Sequence, residues 1–206
     1  MPMTLNEIAL LYGTDKATAH PKIKGHCYTP HYEKFFEALR HKEIKLLEIG
    51  VGGGESIQTW LQYFPAAIVH GVDIVSETNQ FNSREGGPGR YHYENGDQGS
   101  ADFWRAFNEK YGSMDIIIDD GSHFDKDIIS AFKSLWPMLK PGGLYCIEDL
   151  AVAYGGSPFT NPPCQNHMDF VKDKLDDINR LDEIDFLYFS KELAILGKKC
   201  SPIQVV

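Results

Sequence analysis

Apolar positions along this chain alternate between short β-branched or unbroken runs and stretches with a 3.6-residue period, and that alternation predicts five strand–helix units. Ahead of them, Thr4 and Glu7 have capping-box spacing and Gly13 supplies a stop, so Leu5–Tyr12 reads as a short helix. Thr29 reads as the N-cap of a second helix with Pro30 in its first position, and Tyr32, Phe35, Phe36 and Leu39 form its stripe. The first strand, Ile44 to Ile49, runs into a glycine turn and a helix with Ile57, Trp60, Leu61 and Phe64 on one face. The second strand is Ile68 to Val72 and ends on Asp73; the third is Tyr91 to Glu94 and leads to Gly96, Asp97 and Gln98. A helix from Ala101 to Tyr111 turns Phe103, Trp104 and Phe107 inward. Then come a strand at Ile116 to Ile118, a helix with Ile128, Ile129, Phe132, Leu135, Trp136 and Leu139 on its stripe, a Pro-Gly-Gly turn, and a strand from Leu144 to Ile147. A helix from about His167 to Arg180 and a hairpin within residues 183–199 close the pattern. Ser76 to Arg90, with Gly86, Gly87, Pro88 and Gly89, reads as a mobile loop, and residues 151–166 as a Gly- and Pro-rich loop placed to fold over a ligand.

The expected fold is α/β: a doubly wound, Rossmann-like sheet with a terminal antiparallel hairpin. Residues 1–42 form a short helical cap and 43–206 the main domain. In such a sheet ligands bind outside the carboxyl ends of the strands. Gly50 to Gly54, Asp73, Asp97, Asp120 and Glu148 all fall at strand ends of that kind, which predicts one site.

A net charge of −9 argues against a chain that grips nucleic acid by neutralising phosphates, and favours small neutral or cationic ligands. No apolar run approaches the roughly 20 residues of a membrane helix, and the N-terminus lacks a signal-type core, so a cytoplasmic protein without membrane partners is expected. A homo-oligomer is compatible with all of this. Cys27, Cys146, Cys164 and Cys200 are scattered without a C-x-x-C pair, and read as buried or incidental thiols.

The acidic tips carry the chemistry. Adjacent strands lie roughly 4.8 Å apart and hard divalent cations take oxygen ligands at about 2.0 to 2.6 Å, so Asp120 and the pair Glu148, Asp149 are placed to share one ion. His123, three residues beyond Asp120, is in reach of the same ion as a proton acceptor. Asp119 reads either as an N-capping acid or as part of the site. Asp73 stands about 20 residues beyond the glycines, where an acid accepts hydrogen bonds from ribose hydroxyls. The dehydrogenase pattern G-x-G-x-x-G fails, because Glu55 stands where its third glycine belongs. His26, His31, His92 and His167 lack ligand spacing and read as solvated or structural, while Tyr154 and Phe159 in the long loop are candidates to pack on an acceptor.

What stands at Glu48 to Gly54 is E-x-G-x-G-x-G, which resembles the first motif of class I S-adenosylmethionine-dependent methyltransferases. YGTDK (Tyr12 to Lys16), YTPHYEKFF (Tyr28 to Phe36), LLEIGVGGGES, IIIDDGSH and GGLYCIEDL together are similar to the metal-dependent sugar O-methyltransferases of antibiotic biosynthesis, the mycinamicin 2''-O-methyltransferase type. That resemblance implies a Mg2+ ion held by Asp120, Glu148 and Asp149, with His123 as general base. It implies S-adenosylmethionine held at its methionine end by the Gly50, Gly52, Gly54 turn, with Glu48 and Ser56 in the same motif, at its ribose by Asp73, and at its adenine side by Asp97, with Gln98 and Asp119 nearby. Thr14 and Lys16 join these because the family's YGTDK segment reaches the cofactor region. The macrolide enzymes carry an additional N-terminal domain where this sequence has its short cap.

The expected activity is O-methylation of a sugar hydroxyl, on a natural product or glycan, beside a second hydroxyl. A sulfonium methyl is already activated, so the protein must align an oxygen behind it and remove a proton. Catechol methyltransferases are the nearest rival, but their last two ligands read Asp-Asn where Glu148 and Asp149 stand. A non-catalytic cofactor-binding protein and an NAD oxidoreductase are the rivals from other classes.

Overall fold

Thr4 begins the first helix as its sequence predicts. In α1 (Leu5–Tyr12) the Thr4 hydroxyl accepts from the Glu7 N–H, the Glu7 carboxylate accepts from the Thr4 N–H at 2.7 Å, and Gly13 ends the helix at φ 81°. The computed structural model describes residues 2–18, 25–75, 89–155, 165–180 and 183–200. Most of the expected mobile loop (76–88) and the middle of the loop after Asp149 (156–164, with Phe159 and Cys164) lie outside the described residues.

The chain folds as two compact units, Met1–Asn95 and Gly96–Val206. In the first, α2 spans Thr29–Phe36 with Tyr28, not Thr29, in the capping position. The Thr29 hydroxyl is otherwise engaged, donating to Asn6 Oδ1 at 2.7 Å, which ties α2 to α1. Strands β1 (Lys45–Ile49), β2 (Ile68–Asp73) and β3 (Tyr91–Asn95) pair in parallel in the order β3-β2-β1. Helix α3 (Glu55–Tyr63) buries Trp60 edge-on against Tyr32 and Phe36 of α2, with ring centroids 5.8 and 5.9 Å apart. Arg90 finishes α3 by donating to the carbonyls of Leu61, Phe64 and Ala67.

The second unit holds α4 (Ala101–Tyr111), β4 (Met114–Asp119), α5 (Asp125–Leu135), β5 (Leu139–Ile147), α6 (His167–Arg180), β6 (Ile184–Phe189) and β7 (Ala194–Lys198). Its strands run β4-β5-β7-β6; β4 and β5 are parallel, and β7 pairs antiparallel with β5 and with β6, giving the expected hairpin. Leu139 departs from expectation: it begins β5 instead of extending the stripe of α5. Met114 pairs with Leu139 and Ile116 with Leu144, so β5 fits Pro141, Gly142 and Gly143 into an irregularity while pairing continues on both sides. Gly142 takes φ 77°, which a side chain would resist. No helix among the described residues is long and apolar enough to cross a membrane.

Candidate active site

In the first unit the turn from β1 into α3 is held by an acid. Gly50, Gly52 and Gly54 have φ of 86°, 51° and 86°, the left-handed region glycine enters without strain. Asp73 Oδ2 accepts from the N–H groups of Val51 and Gly52 at 2.9 and 3.0 Å, and Oδ1 from Val75 at 3.0 Å. A carboxylate has about four acceptor positions, so Asp73 shapes the turn and keeps capacity for a ribose hydroxyl. Beneath the turn Glu48 is fully buried, 3.5 Å from the Lys16 ammonium, and accepts the Ser56 hydroxyl at 2.8 Å. Thr14, also buried, accepts from the Lys16 N–H through its hydroxyl at 3.4 Å. Lys16, Glu48 and Ser56 thus meet as one buried polar group; the sequence places them in two motifs without showing that they touch.

In the second unit Asp119 is no helix cap: Phe124 occupies the capping position of α5. Asp119 points inward, where Gln98 Nε2 donates to it at 2.6 Å and the Tyr145 hydroxyl at 3.3 Å. Burial pushes its carboxyl up to about 7, against the lowering effect of these bonds. The Gln98 carbonyl oxygen accepts from the Ser122 N–H at 2.8 Å, so the amide is fixed at both ends. Asp97 is exposed and accepts from the Gly99 N–H at 2.8 Å.

Two of the three expected metal ligands, Asp120 and Asp149, come together with His123, the expected base. Ligand atoms of Asp120, His123 and Asp149 all lie within 4.8 Å of one another, and two ligands on one ion at about 2.0 to 2.6 Å can be no more than about 5 Å apart. His123 Nε2 is 3.6 Å from Asp149 Oδ2 and 3.9 Å from Asp120 Oδ1. Glu148 is buried at the end of β5, outside that trio; its N–H donates to the Asp119 carbonyl at 3.0 Å, and its charge, added to burial, raises the Cys146 thiol. His123 and Asp149 both have left-handed backbones, φ 58° and 54°, a conformation that costs a side-chain-bearing residue about 1 kcal/mol or more. The two carboxylates suit a hard divalent cation, and the imidazole beside them lies within reach of a hydroxyl bound there.

His167 is structural, as expected. It is buried, and both its backbone N–H and its Nδ1 meet Asp125 Oδ1, at 2.9 and 2.6 Å. Burial first, then the neighbouring charge of His123, holds its ring below the ordinary histidine range, while Asp125 pulls the other way.

A methyltransferase-domain family matches residues 47–150. Mycinamicin VI 2''-O-methyltransferase of Micromonospora griseorubida is 38% identical over 136 residues, 63% of this chain and 33% of the relative. An 8-demethyl-8-alpha-L-rhamnosyl tetracenomycin-C 2'-O-methyltransferase of Streptomyces olivaceus is 38% identical over 154 residues, 71% of this chain and 38% of the relative. The structure of the MycE methyltransferase of mycinamycin biosynthesis, in complex with Mg, SAH and mycinamycin VI, superposes with a TM-score of 0.84 at 30% identity, covering 99% of this chain and 57% of that one. The chain therefore spans well under half the length of these two curated relatives. The glycine turn, the parallel strands with their antiparallel hairpin, the Asp120, His123, Asp149 trio and these matches lead to one family: the chain belongs to the class I S-adenosylmethionine-dependent methyltransferases, related to the mycinamicin and tetracenomycin sugar O-methyltransferases.

Proposed function

We propose that this chain is a divalent-metal-dependent O-methyltransferase that uses S-adenosylmethionine to methylate a sugar hydroxyl next to a second hydroxyl, on a natural product or glycan. The observation that carries the reading is the Asp120, His123, Asp149 trio, with two of its members in strained left-handed backbone. The rhamnosyl and mycinamicin acceptors in the names of the relatives support the sugar.

Bound S-adenosylmethionine supplies an activated methyl, and a bound divalent cation makes a hydroxyl more acidic and fixes its direction. Asp120 and Asp149 would hold the cation, with Glu148 as a further carboxylate beside Asp149. His123 takes the hydroxyl proton at Nε2, the nitrogen nearest both carboxylates. The Gly50 to Gly54 turn lets backbone approach the donor closely, and Asp73 accepts from its ribose. Lys16 acts through Glu48, to which its ammonium is committed. Gln98 and Asp119 likewise act as supports for the turn that carries His123, through the Ser122 N–H. Asp97, exposed beside them, is the candidate for the adenine side.

Incubation with S-adenosylmethionine, Mg2+ and a panel of rhamnosides, other glycosides and catechols, read by mass spectrometry, tests this. A glycoside one methyl heavier is expected. Methylation of catechols alone would replace the sugar by a phenol, and no methylated product from any class would sink the enzymatic reading.

A further inference from the structure

The two strained residues of the trio are tied to the same place. His123 lies two residues before Asp125, whose buried carboxylate is gripped twice by His167, through the backbone N–H at 2.9 Å and Nδ1 at 2.6 Å. Asp149 begins the short turn Leu150–Tyr154, and the Asn166 side-chain amide donates to the Ala153 carbonyl of that turn at 2.9 Å. The same Asn166 side chain accepts from the Met168 N–H at 2.9 Å, which locks it to the first turn of α6. Consecutive residues at the start of α6 thus hold both loops that present the trio. His167 is too deeply buried to touch an acceptor, so its effect must pass through the loops it holds.

We infer that Asn166 and His167 are positioning residues: the α6 start clamps the His123 turn through Asp125 and the Asp149 turn through Ala153, and so sets the spacing of the cation-holding carboxylates Asp120 and Asp149 and of His123 beside them. This rests on the proposed metal site. Left-handed backbone at two non-glycine residues persists only where surrounding structure enforces it, and the clamp is the enforcing contact these bonds supply. Supporting residues of this kind typically contribute 10-fold to 100-fold to metal affinity.

The probe is Mn2+ alone, titrated into the full chain and followed by electron paramagnetic resonance, with circular dichroism as the check on folding. His167→Phe keeps a ring and the backbone bond but removes the Nδ1 bond to Asp125, and should weaken Mn2+ binding at least 10-fold. His167→Asn puts an amide donor where Nδ1 was, and should restore most of the affinity, which a role limited to filling space would not produce. Asn166→Ala leaves the buried pair intact and should also weaken binding about 10-fold; it carries the test if His167→Phe does not fold. Wild-type binding with both Asn166→Ala and any folded His167→Phe within twofold of it would overturn the clamp. If wild type binds no Mn2+, the metal reading itself fails and the clamp with it.

Discussion

His123 and Asp149 both take left-handed backbone, φ 58° and 54°, and their side chains meet at 3.6 Å between Nε2 and Oδ2. His123 ends the turn after β4 and Asp149 begins the turn after β5, so two separate loops each adopt an unfavourable conformation to bring these two groups together. Strain of this sort is retained where it serves a site.

Removing His123 should therefore separate activity from stability. His123→Ala is expected to lower turnover by about 100-fold to 10,000-fold. His123→Gly should be as inactive yet relieve about 1 kcal/mol of backbone strain, raising Tm by about 2 to 4 °C. Turnover of both variants, and thermal unfolding of His123→Gly beside wild type with Mg2+ present, check this; near-normal turnover would take His123 out of the mechanism.

The buried pair under the glycine turn predicts a large effect on stability. Lys16 is 2% exposed and Glu48 0%, at 3.5 Å. Lys16→Met takes the ammonium away from a fully buried carboxylate, and should cost about 3 to 5 kcal/mol in urea unfolding. Adding Glu48→Gln neutralises the uncompensated buried charge and should recover much of it. A single variant within about 1 kcal/mol of wild type would show that the pair contributes little.

Much of this architecture was legible from local pattern. The Thr4 and Glu7 capping box, the stripes of α4 and α6, and the hairpin depend on neighbours within a few residues, and those elements stand where the periods put them. Leu139 fits the stripe of α5 equally well, and only its pairing with Met114 assigns it to β5. Asp119 at a strand end reads as a cap or as part of the site until Gln98 and Tyr145, 21 and 26 residues away, are seen to meet it. The same holds for Asp125 and His167, separated by 42 residues. Partners that distant leave no spacing signal, so the positions of Asp120 and His123 were readable and their supports were not.

Acid should weaken the first unit through His70. This ring lies in β2, buried and stacked on His92 of β3 at 5.2 Å, with Lys45 and Glu94 as its other charged neighbours. Burial is the main cause that lowers it to about 4 from 6.5. The unfolded chain then binds the proton first as pH falls. The stability contribution is complete above about 6.5 and is lost progressively down to about 4. Unfolding free energy measured across that window should fall for wild type, and fall less steeply for His70→Gln. Parallel profiles would remove His70 as the cause.

Metal-dependent methyl transfer is tested most directly by the release of S-adenosylhomocysteine with a rhamnoside acceptor. Protein stripped with EDTA should release almost none, and Mg2+ should restore release in wild type but not in Asp120→Asn or Asp149→Asn. Full release from stripped protein, or unimpaired release from both variants, would contradict the account.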